Sequence, residues 1–464
     1  MKVLLTGATG FVGKHLVRKL LEKGHDVAVL TRQPQAVREK LGLPVQAFAW
    51  DAIGPVPIES LAGVNAVIHL AGEGVAEHRW SDDQKKKIYE SRVLGTRQLM
   101  TAISQLPEND RPESFVSASA IGYYGDCDNE LLDETSALGK GFLAEVCRDW
   151  EAELFTKSPT NLRTAAVRIG MVLGLEGGAL KKLLPLFSTG AGGPVGSGRQ
   201  WVSWIHIDDL VALFVHLLET KSASGVFNGV APNPVTNADF SHALGKVLHR
   251  PAFVKAPAFA VKLIMGEAAE LVLASTRVLP KQTLASGFHF TYPTIEEALG
   301  AVVEKKSPNG CRELKVTQWL PVPVEKVFPF FCDETNLERL TPPWLNFRVV
   351  GKSTPHIEKG TLIDYQLKLH GVPVRWQSRI DDWIPNEMFI DRQMRGPYRF
   401  WHHTHRFYPV AGGTLIEDHV LYQVPGGRVG NWFVGPWVKG DVEKIFAYRR
   451  QTIDALFPAP TSAS

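Results

Sequence analysis

Cysteine is scarce. The 464 residues hold four, Cys127, Cys147, Cys311 and Cys332, with no C-x-x-C pair among them. That excludes a disulfide framework and a thiolate zinc site, and it fits a reducing compartment. An excess of charge of one sign is also missing: 51 Lys and Arg against 48 Asp and Glu leave +3. Nothing there points to nucleic acid or an anionic membrane as partner. No apolar run reaches the roughly 18 residues of a membrane span. Residues 1–7 are apolar too briefly for a signal peptide. These absences predict a cytoplasmic protein without a membrane span and leave its oligomeric state open.

What is present is ordinary for a soluble globular chain, with 44% apolar and 21% charged residues. The length is too great for one compact core and predicts two domains. Up to about residue 300, short β-branched runs alternate with longer amphipathic stretches. Segments 3–5, 27–30, 66–70, 115–117 and 164–169 read as buried parallel strands. The stretches between them carry helical spacing, as in Leu16, Leu20 and Leu21. This is βαβ architecture, an α/β Rossmann-type doubly wound parallel sheet. The pattern breaks into a polar, Pro- and Gly-containing segment, placing a linker at 301–312. Beyond it, seven of the twelve tryptophans fall between Trp319 and Trp437. The period becomes strand-like at 361–369, 375–380, 399–407 and 414–422, and a helix over about 440–456 closes a second domain at 313–457. Residues 458–464 read as a disordered tail.

The first strand runs directly into Thr6-Gly-Ala-Thr-Gly-Phe-Val-Gly13, which opens a helix. Gly7 permits a tight turn, Gly10 lets backbone approach a pyrophosphate, and Gly13 lets the helix pack on the strand. An NAD site would place Asp or Glu at the end of the second strand. Thr31 and Arg32 stand there instead and suit a 2′-phosphate, so the expected cofactor is NADP(H). Asp51, placed at the close of the third strand, is a candidate for the adenine amine. Leu70, Ala71 and Gly72 end the fourth strand beside the adenosine ribose.

On these residues the chain resembles the extended short-chain dehydrogenase/reductases. Segment 197–210, with His206, Asp208 and Asp209, looks like their substrate-domain signature, and the resemblance implies a small substrate subdomain over about 170–300. Residues 1 to about 300 look like the NAD(P)-binding sugar-nucleotide epimerase family with an epimerase-type C-terminal extension. The residues that carry this are Arg79-Trp80, Ser91-Arg92-Val93, the run from Phe142 to Glu151, Val172-Leu-Gly174, Asn228 to Pro232 and Ala274 to Pro280. The resemblance adds Thr9, Phe11, Val12 and Arg92 to the cofactor site. It adds Glu73, Arg199 and His206 to the substrate side, for a small molecule such as a nucleotide sugar or another hydroxyl or carbonyl compound. Residues 313–457 resemble the START/Bet v 1 helix-grip domains, through a first strand to Gln318 and then Pro321 to Phe331, Asp333, Asn336 and Leu340-Thr-Pro342. That implies an α+β domain enclosing an apolar cavity for a hydrophobic ligand.

The superfamily's catalytic pair is absent. Its Tyr, with a Lys one helical turn on, should lie on the helix that begins near Phe142, where Phe142 is followed at four by Val146. No tyrosine occurs between Tyr124 and Tyr292. The Ser is present as Ser119, read as just past the fifth strand. Tyr123 or Tyr124 beside it becomes the candidate proton carrier, with Glu145 and His206 as other polar choices. Each has a plainer reading: the tyrosines wall the pocket, Glu145 is solvated, and His206 holds a strand-to-helix junction capped by Asp208 or Asp209. The expected function is therefore an NADP(H)-dependent oxidoreductase or epimerase, with a catalytically silent NADP(H) sensor or scaffold as the alternative.

Other motifs carry less. In Trp401-His-His-Thr-His405 the alternation puts His403 and His405 on one face, with Glu417 or His419 across a hairpin. Such a pair on an exposed strand reads as surface or pocket lining, and no metal is expected. Trp376, Trp383, Tyr398, Phe400, Trp401 and Phe407 supply cavity lining or core. Lys85 to Lys87 read as a solvated helix face. The loop 190–198, closed by Arg199, has backbone free to approach a ligand.

Overall fold

The computed structural model describes residues 1–304, 311–426 and 434–458. The chain divides into two compact units, built chiefly on residues 1–304 and 311–458. Most of the expected linker, 305–310, and the tail, 459–464, lie outside the described residues. The last helix of the first unit, Ile295–Glu304, runs into the span expected to be linker.

The strands of the first sheet are β1 (Lys2–Thr6), β2 (Asp26–Thr31), β3 (Gln46–Ala49), β4 (Ala66–His69), β5 (Ser114–Ala120), β6 (Arg163–Ile169) and β7 (Gly225–Gly229). Among the described residues these seven lie in the order β7-β6-β5-β4-β1-β2-β3, all parallel. Both faces are covered, so strands such as Ala66–His69 are buried at every residue, which is why they read as unbroken apolar runs. Helix α1 (Phe11–Glu22) buries Gly13, Leu16, Val17, Leu20 and Leu21, one stripe at helical spacing. Leu4, Ala28, Val67, Phe115 and Ala166 join Leu99 and Ile103 of α2 (Asp82–Gln105) in one core cluster.

The subdomain boundary expected at about 170 is less clean than its sequence implied. After β6 the chain leaves the sheet, then returns through β7, which pairs with β6 over 225–229. What stands apart is a small cluster around Leu173, Leu180, Phe187, Trp204, Phe240 and Leu299.

The second unit is antiparallel. Its strands are β8 (Arg312–Leu320), β9 (Arg348–Lys352), β10 (Leu362–Leu369), β11 (Val372–Ile384), β12 (Met388–Arg395), β13 (Phe400–Val410) and β14 (Gly413–Gln423). They form one sheet in the order β8-β14-β13-β12-β11-β10-β9. The closing helix, Gly435–Leu456, begins earlier than its expected start at 440. It buries Val442, Phe446, Arg449 and Ile453, a stripe at steps of four, three and four. Val442 and Phe446 pack with Val420 and Tyr422 of β14, and Ile453 packs with Leu320, Phe407 and Ile416. This is the helix-grip arrangement. Among the described residues no helix is long and apolar enough to cross a membrane.

Candidate functional site

In a parallel sheet the loops that can gather chemistry leave the carboxyl ends of the strands. Register brings three of these ends together: Thr6 of β1 pairs with His69 of β4, and His69 with Ser117 of β5. The glycine turn, the Leu70–Gly72 segment and Ser119 therefore open on one edge.

At that edge the backbone demands glycine twice. Gly7 sits at φ 72°, and a Cβ on it would lie 2.9 Å from the carbonyl of Leu70. A Cβ on Gly13 would fall 2.1 Å from the Gly7 carbonyl oxygen, so α1 could not dock. Behind the turn, Thr6 Oγ1 accepts the backbone N–H groups of Leu70 and Ala71 at 3.1 and 3.0 Å. Its own proton then goes to His69 Nδ1 at 2.7 Å, which puts the ring proton on Nε2. His69 is fully buried, and burial, with Arg92 adding to it, drives its pKa down to about 3.

The other cofactor candidates are placed as follows. Thr9, half-buried, lies within the turn, and Phe11 and Val12 open α1. The Phe11 ring is turned onto the loop at Gly174 and Gly177, where added Cβ atoms would lie 2.6 and 2.5 Å from it. Arg32 is exposed past the end of β2. β3 ends at Ala49, so Asp51 lies in the loop beyond the strand it was expected to close. Its Oδ1 accepts the N–H groups of Ile53 and Gly54 at 2.9 and 2.7 Å, which hold its pKa below the usual value. The role of Asp51 in the free chain is thus that of a turn cap. The guanidinium of Arg92 covers Gly72, 3.0 Å from where a Cβ would be, and Arg92 Nη1 bonds the Ile88 carbonyl at 3.1 Å. The Glu73 amide donates to Ser91 Oγ at 2.9 Å.

The helix expected to carry the Tyr-Lys pair contributes instead to a buried polar network that sequence reasoning missed. Glu151, from α3 (Phe142–Thr156), and Arg168, from β6, form a two-pronged ion pair at 2.8 and 2.7 Å. They are 7% and 3% exposed. Ser119 lies inside β5, not past it, and its hydroxyl donates to Glu151 Oε1 at 2.7 Å. Arg168 Nη1 donates to the Tyr124 hydroxyl at 3.0 Å, and Tyr124 donates on to Asn228 Oδ1 at 2.8 Å. Tyr124 is wholly buried, and burial pushes its pKa up to about 12. In the free chain its hydroxyl is tied up inside the network, as the plainer reading of a pocket wall had it. Tyr123 is different. Half-buried, it takes the Arg168 guanidinium 3.3 Å from its ring centre, and among the described residues its hydroxyl carries no hydrogen bond. The signal for the network was a glutamate on the buried face of a helix, one turn after Cys147.

The substrate-side candidates separate. His206 is fully buried and is itself the cap of the helix Ile207–Glu219: its Nδ1 accepts the Asp208 N–H at 3.1 Å. That corrects both its substrate reading and the expected cap by Asp208 or Asp209. Asp209 instead accepts the N–H groups of Thr291 and Tyr292, at 2.9 and 3.0 Å. Arg199 and Glu145 are exposed. Two glycines of the 190–198 loop are closed off: Cβ atoms at Gly192 and Gly193 would each fall 2.4 Å from Phe187 or the Val254 carbonyl. Lys85 is ion-paired with Glu267, not merely solvated.

In the second unit a cavity of about 190 Å³ opens between the sheet and the closing helix. Trp376, Trp383, Tyr398 and Trp401 line it, whereas Phe407 belongs to the core. His403 and His405, expected on an exposed strand, are 4% and 3% exposed and face this cavity. Their partners are Asp391 and Asp418, not Glu417 or His419. Burial drives His403 down to about 4. At His405 burial pulls the same way, but Asp418 and Asp391 outweigh it and its pKa is raised.

Residues 3–228 match the NAD dependent epimerase/dehydratase family, 256–302 a domain of unknown function, and 320–446 the polyketide cyclase / dehydrase and lipid transport family. The chloroplastic SDR39U1 homolog of Arabidopsis thaliana, an epimerase family protein, is 42% identical over 66% of this chain and 87% of its own length. The Bacillus subtilis epimerase family protein YfhF is 34% identical over 65% and 98%. Human epimerase family protein SDR39U1, solved with NADPH, superposes with a TM-score of 0.59 at 35% identity, covering 66% of this chain and 99% of that one.

Two outcomes follow from the buried groups. Glu151→Ala strands Arg168 without its carboxylate and costs about 3–5 kcal/mol, read by denaturant unfolding of the whole chain. His69 is neutral when folded, while the unfolded chain takes up a proton below its ordinary value near 6.5. The stability it contributes is complete above that value and is lost as pH falls toward 3. Between those limits, His69→Asn should show a slope of stability against pH shallower by about 1.4 kcal/mol per unit. Equal slopes in the two proteins would refute this.

Proposed function

The chain belongs to the epimerase family that includes the SDR39U1 proteins, and from that premise we propose that it is an NADP(H)-binding oxidoreductase or epimerase-like enzyme. Its substrate is a nucleotide sugar or another hydroxyl or carbonyl compound, and its second domain holds an apolar molecule. We place it in a reducing, cytoplasmic setting, in keeping with four free cysteines. The observation that carries the cofactor reading is the glycine turn, closed by backbone contacts at Gly7 and Gly13 that leave no room for a side chain. The amides that open α1 face the pyrophosphate. Arg32, exposed beyond β2, takes the 2′-phosphate. The human relative solved with NADPH supports the choice of cofactor.

NADP(H), when bound, supplies or accepts the hydride. The side chains do the rest. Because Ser119 gives its proton to Glu151, its oxygen is left as an acceptor, which suits a substrate hydroxyl better than a carbonyl. Tyr123, whose hydroxyl is outside the network, moves the proton. Arg168 and Glu151 fix both residues in place without touching the substrate.

One observation favours a second reading. Ser119 and Tyr124 are both committed to a buried network, which is what a silent NADP(H) sensor would look like. Turnover separates the two. In the enzyme reading, Ser119→Ala and Tyr123→Phe each cut NADPH turnover by about 100-fold or more. If a substrate is found and both variants turn over fully, the assignment fails. The sensor reading predicts NADPH binding with no turnover on any of a broad carbonyl and hydroxyl panel. Arg32→Ala should weaken NADPH by about tenfold or more and leave NADH unchanged. Native mass spectrometry of chain purified from its source organism should show a co-purified apolar adduct. Its absence would remove the ligand-holding role from the second domain.

A further inference from the structure

The polar group at the end of the second unit's cavity is built by strand register. His403 and His405 are two apart on β13 and so point to one face of the sheet. Asp391 of β12 stands directly across from His403, and Asp418 of β14 directly across from His405. Each imidazole thus has a carboxylate at both of its nitrogens.

We propose that His403, His405 and Asp391 bind a divalent transition-metal ion of the Zn²⁺ or Fe²⁺ class, with Asp418 hydrogen-bonded to the outer nitrogen of His403 and close beside that of His405. This goes beyond the reading of the first unit and does not depend on it. The distances suit ligand spacing, and the His405 Nε2–Asp391 contact is a long hydrogen bond in the free chain. Asp391 Oδ2 is 3.3 Å from His403 Nδ1 and also 3.3 Å from His405 Nε2. A charge-assisted hydrogen bond would be about 2.7–2.9 Å. The edge of a tetrahedron with metal–ligand bonds of about 2.05 Å is about 3.3 Å. All three donor atoms lie within 4.8 Å of one another.

The opposite nitrogens are handled differently. Asp418 Oδ1 lies 3.1 Å from His403 Nε2 and 2.6 Å from His405 Nδ1. Asp418 is hydrogen-bonded to His403 Nε2 and in ion-pair contact with His405 Nδ1, so Nδ1 of His403 and Nε2 of His405 are the nitrogens turned toward Asp391. That is the outer arrangement a histidine metal site uses to orient its ligands.

Charge agrees. One buried carboxylate, Asp418, and one half-buried, Asp391, face one buried guanidinium, Arg449, which lines the same cavity and whose Nε has no hydrogen-bond partner among the described residues. The cluster is short of positive charge unless a proton or a cation joins it. Three protein donors leave coordination positions open, as catalytic rather than structural sites do. Those positions face an apolar cavity lined by Trp376 and Trp401, so the metal would meet an apolar molecule through an oxygen that it carries.

The test uses the full, tag-free chain, equilibrated in turn with Zn²⁺, Fe²⁺ and Co²⁺ and analysed for bound metal by mass spectrometry. About one ion per chain is expected, with visible d–d bands for the Co²⁺ form typical of four or five ligands. Asp391→Asn and His403→Ala should abolish the stoichiometric binding. Asp418→Asn should weaken it by about 10–100-fold. His419→Ala, altering the outward histidine that bonds Glu313, should bind as the parent does. Circular dichroism confirms folding, and the near-isosteric Asp391→Asn decides the matter if His403→Ala does not fold. A parent chain that retains no stoichiometric metal overturns the proposal: the cluster is then an ion-paired group with a proton on His405. Binding that survives Asp391→Asn unchanged overturns it equally.

Discussion

The edge of the first sheet depends on one buried ion pair. Arg168 enters from β6 and Glu151 from α3, both below one-tenth exposed, and each satisfies the other at two points. Neither charge could be buried alone without a large penalty. Around the pair the other groups fall into place. Ser119 donates a hydrogen bond to Glu151, Tyr124 is locked between Arg168 and Asn228, and the Tyr123 ring lies against the guanidinium. The helix that carries no Tyr-Lys pair carries this glutamate instead.

The two units reach chemistry by different routes. In the parallel sheet, side chains within the strands are buried on both faces, so function gathers where strands end and loops begin. In the antiparallel sheet one face is turned inward under the closing helix, and alternate residues of neighbouring strands meet there. His403, His405, Asp391 and Asp418 are a product of that register, as the glycine turn is a product of the strand end.

Much of this was legible in the amino-acid order. Five parallel strands, the glycine turn, the following helix and the missing tyrosine could be read from local pattern, because period and turn chemistry are local. The helix-grip unit was legible in outline from alternating strands and a final amphipathic stretch. What could not be read depends on partners distant in the chain. Arg168 meets a glutamate 17 residues earlier, and Tyr124 an asparagine 104 residues later. The histidines of β13 looked exposed because alternation states which residues share a face, not which face is covered. His206 read as a substrate residue because its neighbours matched a signature, while its ring was needed to start a helix.

The most direct test of this account is a crystal structure of the chain with NADP⁺ bound. The account predicts the pyrophosphate against the Gly7–Gly13 turn, the 2′-phosphate on Arg32, and the Tyr123 hydroxyl and Ser119 facing the nicotinamide. The Arg168–Glu151 pair should remain closed. A nicotinamide lying away from Ser119 and Tyr123, or a broken pair with Tyr124 turned into the crevice, would contradict it.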